Sequence, residues 1–166
     1  MSESSQRNIR VLLVDDEEDL VTLLAARLNK RDMDVAYATS GREALDLDET
    51  HTFDVAILDL KMPHMDGVEV MSELKTRHPM IETIMITGHG TLDSALEAGK
   101  LEAFKYLLKP CDFDELVETI KAAFEHRRAN LRRKYEEELI EGMDHFQSAQ
   151  DILHHSDELR KKYEQD

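Results

Sequence analysis

At 166 residues the chain has room for one compact domain and an appendage but is cramped for two full domains, since domains mostly run to about 100–150 residues. With 41% hydrophobic and 34% charged residues it has the balance of a soluble globular protein, and no apolar run approaches the roughly 20 residues of a membrane span. The net charge of −15 repels a phosphate backbone and points to protein partners rather than direct nucleic-acid contact.

The acidity is uneven. Up to Ala123 there are 13 basic and 25 acidic residues (−12), against 8 and 11 afterwards (−3). The amino terminus Met1-Ser2-Glu3-Ser4-Ser5-Gln6 has no basic stretch leading into an apolar one, as a secretory signal requires. The single Cys111 cannot form an internal disulfide and reads as a partly buried thiol. A cytoplasmic, membrane-free setting is therefore expected.

From Ile9 to about Arg128, short β-branched apolar runs alternate with longer amphipathic segments, the pattern of repeated βαβ units on a parallel sheet. The expected strands are Ile9–Val14, Asp34–Ala38, Asp54–Leu58, Ile81–Ile86 and Lys105–Leu108. The expected helices are Glu17–Lys30, Gly41–Glu49, Gly67–Thr76, Thr91–Lys100 and Asp112–Arg128. Asp112 with Glu115 three residues on resembles a capping box, and Ser40-Gly41 is a plausible helix entry. Three divisions follow: a disordered tail over residues 1–8, a globular domain over 9–128, and a helical extension over 129–166.

In the extension Leu131, Tyr135, Leu139 and Met143 recur every four residues, followed by Phe146, Ile152/Leu153, Leu159 and Tyr163 at looser helical spacing. Glutamates interrupt this stripe, so a solvated helix and an oligomerisation helix both remain open. So does a break near Gly142, which would make the extension a helical pair.

Chemistry-bearing residues fall at the carboxyl ends of four strands, where open α/β sheets bind ligands. These are Asp15-Asp16, Asp59, Thr87 and Lys109-Pro110. Each has a structural explanation alone: Asp15-Asp16 as helix caps, Thr87-Gly88 as turn chemistry, Lys109-Pro110 as a surface lysine before a reversal. Their conjunction on one sheet edge points to a phosphoryl-transfer site. Clustered carboxylates need positive charge beside them, and an all-oxygen set suits Mg²⁺, whereas Zn²⁺ would favour His or Cys. The histidines show no paired ligand spacing, and His51, His64, His78, His89, His145, His154 and His155 read as surface residues. Asp59 then serves as a carboxylate nucleophile forming an acyl phosphate, with Lys109 and Thr87 stabilising phosphoryl oxygens.

Asp15-Asp16, Asp59 with Lys61-Met62-Pro63-His64-Met65-Asp66-Gly67, Thr87-Gly88-His89-Gly90 and Tyr106-Leu107-Leu108-Lys109-Pro110 together resemble the receiver domain of two-component response regulators, over roughly Arg10 to Arg128. The closest flavour is that of receivers attached to enhancer-binding activators. The resemblance implies a flavodoxin-like, doubly wound sheet of strand order 2-1-3-4-5 with helices on both faces, plus the C-terminal helical extension. It implies phosphoryl transfer from a sensor histidine kinase to Asp59. Asp16 is implied as a direct Mg²⁺ ligand, Asp15 as its assistant through water, and the Lys61 carbonyl as a further ligand. A cis bond before Pro110 and a switch formed by Thr87 and Tyr106 are also implied. The protein would catalyse only its own phosphorylation and dephosphorylation, and would change a partner or homodimer surface on its switch face or its C-terminal helix.

Glu102 stands where the family commonly has Gly, with Gly99 earlier, and Cys111 replaces the usual residue after Lys-Pro, so the partner surface departs from the family pattern more than the acidic site does. No Gly-x-x-x-x-Gly-Lys-Ser/Thr loop occurs, and the last 38 residues hold no basic recognition helix. A phosphorelay intermediate that hands phosphate to a histidine phosphotransfer protein is the alternative within signalling, and a receiver that never takes phosphate is another. An aspartyl-nucleophile phosphohydrolase, from a different class, would want an Asp-x-Asp pair on the first strand, which Asp59-Leu60-Lys61 lacks.

Overall fold

A computed structural model describes residues 7–88, 90, 91, 93, 96, 102–143, 145 and 148–164. Five strands form a parallel sheet in the order β2-β1-β3-β4-β5: β1 Ile9–Val14, β2 Met33–Ala38, β3 Val55–Asp59, β4 Glu82–Thr87 and β5 Lys105–Leu108. The helices are α1 Glu18–Leu28, α2 Gly41–Asp48, α3 Gly67–Arg77, α4 Phe113–Met143 and α5 Ala149–Glu164. The helix expected at Thr91–Lys100 lies largely outside the described residues. Among those residues, no helix is long and apolar enough to cross a membrane.

The chain divides into two compact units, Met1–Phe124 and Glu125–Asp166. In the first, side-chain alternation along the strands sends Leu13, Ile57, Ile84 and Leu107 to one face and Leu12, Ala56, Leu58 and Met85 to the other. The former pack with Val21, Ala25 and Leu28 of α1 and Leu116, Ile120 and Phe124 of α4; the latter pack with Ala44 and Leu45 of α2 and Val70, Met71 and Leu74 of α3. A sheet covered on both faces needs apolar residues at successive positions, and all five residues of β3 are buried.

Local chemistry starts the helices. Ser40 accepts the Glu43 N–H at 3.2 Å, Asp112 accepts that of Glu115 at 2.9 Å, and Asp66 forms a reciprocal capping box with Glu69 at α3. At the other end of the sheet Asp54, fully buried, accepts both guanidinium arms of Arg7 at 2.7 and 2.9 Å and a further pair of Arg10 donors at 2.8 and 3.2 Å. Arg7 thus belongs to the folded unit although the sequence placed it in the tail.

In the second unit, α4 runs without interruption through the expected boundary at Arg128. Between Phe113 and Glu141 no Pro or Gly stops it, and it ends one residue past Gly142. A second helix follows, and Leu131 of the first and Leu159 of the second are buried. Tyr135 bonds Ser156 at 3.0 Å and meets the Tyr163 ring edge-on, while Glu138 takes Lys162 at 2.9 Å and Tyr163 at 2.6 Å. The helical stripe is therefore covered within the chain as far as the half-buried Leu139, whereas Met143 is exposed.

Candidate functional site

Register assembles the site before any side chain is considered. Val14 lies opposite Leu58, Asp59 opposite Ile86, and Thr87 opposite Leu108, so Asp15, Asp59, Thr87 and Lys109 emerge along one sheet edge. Asp15, Asp59 and Thr87 are buried, while Asp16 is exposed. The Lys109 N–H donates to the Thr87 carbonyl at 2.9 Å, which extends the pairing of β4 and β5 by one step, and the Lys109–Pro110 peptide is cis.

The lysine ammonium lies between two acids: Nζ donates to Oδ2 of Asp15 at 2.6 Å and to Oδ2 of Asp59 at 3.2 Å. Asp15 Oδ1 also accepts the Glu17 N–H at 3.0 Å in an Asx-type turn just ahead of α1, whose start at Glu17 carries no side-chain cap, so the capping reading of Asp15-Asp16 is not met while the site role is kept. Asp59 Oδ1 accepts the Lys61 N–H at 3.3 Å. Asp15, Asp16 and Asp59 each bring one carboxylate oxygen to within 4.8 Å of the others, an all-oxygen donor set of the kind hard divalent cations take.

Burial, and then the neighbouring charge of Asp15, push the Asp59 carboxyl above its ordinary range, against the opposing charge and hydrogen bond of Lys109. Burial also acts to lower Lys109, but its hydrogen bonds and charge pairing with Asp15 and then Asp59 outweigh that and hold the ammonium above its usual value. The site is therefore a charge-stressed pocket with one tightly held cation. Burial raises the Cys111 thiol as well, which keeps it protonated and fits an inert thiol rather than a nucleophile.

The loop after Asp59 is built tightly. His64 adopts a φ of 68°, and the Met65 N–H bonds the Pro63 carbonyl at 2.8 Å in a three-residue turn. Gly67 donates to the Leu60 carbonyl at 3.0 Å, and a Cβ added to Gly67 would lie 2.2 Å from the Asp59 carbonyl oxygen. The sequence marked Gly67 only as the start of a helix; the Asp66-Gly67 pair was the available signal for this close approach. Glu17, which the sequence did not single out, comes within 3.7 Å of Lys109 Nζ. Tyr106 is half-buried against the α2–α3 side of the sheet, and its hydroxyl accepts the Ala103 N–H at 3.4 Å. His89 lies outside the described residues.

The sequence matches the family model of the response regulator receiver domain over residues 11–121. This chain belongs to that family. The transcriptional regulatory protein ZraR of Escherichia coli K12 is 39% identical over 119 residues, covering 72% of this chain and 27% of ZraR. The DNA-binding transcriptional regulator NtrC of Klebsiella pneumoniae is 39% identical over 114 residues, covering 69% and 24% respectively. The chain thus spans about a quarter of the length of these curated relatives. Among solved structures, a response regulator receiver domain protein from Clostridium thermocellum superposes with a TM-score of 0.67 at 33% identity, covering 73% of this chain and 98% of that one. The receiver domain of NtrX from Brucella abortus gives 0.63 at 29% identity, covering 69% and 98%. The protein is a two-component response regulator receiver, a member of a signalling family, with the sheet order that its sequence implied.

Proposed function

We propose that this receiver accepts a phosphoryl group from a phosphohistidine of a sensor histidine kinase onto Asp59, and that residues 9–128 form the receiver with 129–166 as its helical extension. The observation that carries the reading is Lys109 held at 2.6 Å from Asp15 and 3.2 Å from Asp59, with Asp16 in the same cluster. Asp15, Asp16, Asp59 and the Lys61 carbonyl would hold Mg²⁺, which when bound supplies positive charge to carboxylates and phosphoryl oxygens alike. An Asp59 carboxylate oxygen bonds to phosphorus as the bond from phosphorus to the imidazole nitrogen breaks, and the electron pair stays with the imidazole. Lys109 neutralises phosphoryl oxygens as a compact charge, and the Thr87 hydroxyl donates a hydrogen bond to another. The same groups would support loss of the phosphoryl group to water, so the protein acts on itself rather than turning over an external substrate.

Thr87 and Tyr106 form the proposed switch, in which the hydroxyl follows the phosphoryl group and the ring turns inward, altering the surface offered to a partner. A net charge of −15 and a setting expected to be cytoplasmic favour a protein as that partner. The test is intact-mass measurement after incubation with acetyl phosphate and Mg²⁺. One phosphoryl adduct is expected in the native protein and none in Asp59→Asn; an adduct forming at the same rate in that variant would overturn the assignment.

A further inference from the structure

We infer that the outward face of α4 in the second unit is a self-recognition surface for a second copy of this chain, paired antiparallel about a two-fold axis between Lys134 and Tyr135. On the hairpin-facing side of this segment Leu131 is buried and Asn130, Lys134, Tyr135, Glu138 and Leu139 are half-buried. The other side is exposed and consists of Arg128, Ala129, Arg132, Arg133, Glu136, Glu137, Ile140 and Glu141. That row is a charge-inverted palindrome. About such an axis Ala129 meets Ile140 at the seam, Arg132 lies beside Glu136 on one flank and Arg133 beside Glu137 on the other, and the two-fold makes each pairing twice. Met143 falls opposite His126 in the same register. Ile140 is 64% exposed and would find cover against Ala129 of the second copy.

The block order is unfavourable for one helix on its own. Glutamates crowd the carboxyl end of α4, where the helix dipole favours cations, and its last turn carries no basic residue. Glu138 is engaged within the hairpin by Lys162 and Tyr163, but Glu136, Glu137 and Glu141 point away from it. Along the helix, Arg133 reaches Glu137 at 4.0 Å and Arg128 reaches Glu125 at 3.2 Å, exposed pairs that contribute little in water. An antiparallel copy places a basic block beside each acidic one and an acidic block beside each basic one. Although the whole chain carries −15, the exposed row has three arginines against three glutamates and is neutral. The inference does not depend on the phosphoryl chemistry, because no residue of the acidic site takes part.

Sedimentation equilibrium of the full chain tests it. The native protein is expected to dimerise, with affinity falling as salt rises. R132E/R133E and E136R/E137R are each expected to weaken the dimer by roughly tenfold or more, because all four inter-helix ion pairs become like-charged. The quadruple swap R132E/R133E/E136R/E137R restores the palindrome and should restore the dimer, and mixing the two double variants should give a heterodimer tighter than either homodimer. Far-UV circular dichroism confirms that α4 stays helical in each variant. A native protein that stays monomeric at millimolar concentration, a dimer indifferent to both double reversals, or a helical quadruple variant that stays monomeric would each overturn the inference.

Discussion

Gly67→Ala is the sharpest test of how the fold holds the site. The added Cβ would sit 2.2 Å from the carbonyl oxygen of Asp59, 2.9 Å from its carbonyl carbon and 3.1 Å from the Cα of Leu60. A carbon and an oxygen in contact are ordinarily about 3.3 Å apart, so one backbone segment must retreat by about 1 Å. Neither is free to do so: Asp59 is the last residue of the fully buried β3, and Gly67 is the first of a helix whose Asp66–Glu69 capping box fixes its start. Overpacking of this kind costs about 3 kcal/mol when backbone rather than a flexible side chain must yield. For a chain of this size that lowers the unfolding temperature by about 6–10 °C. A displacement of about 1 Å at a nucleophile costs roughly a hundredfold in rate, so phosphoryl acceptance from acetyl phosphate should fall on that order among molecules that remain folded. Gly41→Ala is the control. There the new Cβ meets side chains alone, Met65 Cγ and Cβ and Cγ2 of the buried Val70 at 2.8–2.9 Å, so repacking costs about 1–3 kcal/mol but leaves the Asp59 backbone in place, and a nearly native rate is expected. Thermal unfolding and the rate of mass gain measure both effects. A Gly67→Ala protein that unfolds within about 1 °C of the native one and is phosphorylated at its rate would refute the reasoning.

Acid should unfold the protein partly through Asp54. Arg7 and Arg10 overcome the burial cost and hold its carboxyl down at about 2, from an ordinary 3.8. Because the folded value is the lower one, this stability is fully present above pH 4 and is lost as pH falls towards 2. It amounts to roughly 2 kcal/mol, which denaturant titrations between pH 5 and 2 would show in the native protein and not in Asp54→Asn. Lys109→Ala removes the ammonium shared by Asp15 and Asp59 and should slow phosphoryl acceptance by about a hundredfold; a rate within threefold of native would contradict its assigned role. Tyr106→Ala lies off the acidic cluster, so mass gain should proceed as in the native protein while phosphate-dependent partner affinity weakens. Unchanged affinity would remove Tyr106 from the switch.

The grouping of Asp15, Asp59, Thr87 and Lys109 at one sheet edge was legible in the sequence because they sit at strand ends, where a run of apolar residues points to the position after it. Asp59 after Val55-Ala56-Ile57-Leu58 and Lys109 after Tyr106-Leu107-Leu108 are of this type. Strand limits were less legible, for a specific reason. β3 was expected to begin at Asp54, but that carboxylate is occupied by Arg7 and Arg10, two groups 47 and 44 residues away, and the strand instead runs on to include Asp59. No local pattern carries an ion pair of such span. The same holds for Glu17, whose approach to Lys109 depends on α1 and the end of β5 meeting at one edge. The length of α4 was ambiguous because nothing between Phe113 and Glu141 breaks a helix, so only tertiary packing decides where the first unit ends and the second begins.

Charge at the acidic edge sets the terms on which phosphoryl transfer proceeds. Asp15, Asp16 and Asp59 bring three formal negative charges against the ammonium of Lys109, a formal −2 to which Glu17, 3.7 Å from that ammonium, adds one more. An incoming phosphoryl group adds more negative charge, and the elevated Asp59 carboxyl shows that repulsion and burial already strain the pocket before it arrives. A divalent cation held by the three aspartates would offset the formal −2 of the aspartate–lysine set, whereas a monovalent ion would offset half of it. Lys109 cannot supply the difference, because its ammonium is already committed to Asp15 and Asp59. In the proposed reaction, a cation held by Asp15, Asp16 and Asp59 would supply positive charge to those carboxylates, and Lys109 would then be free to neutralise phosphoryl oxygens. Cation binding and release of Lys109 from its two acids are therefore expected to be linked, with Asp59 the counter-ion of the resting site and, in the proposed reaction, the phosphoryl acceptor.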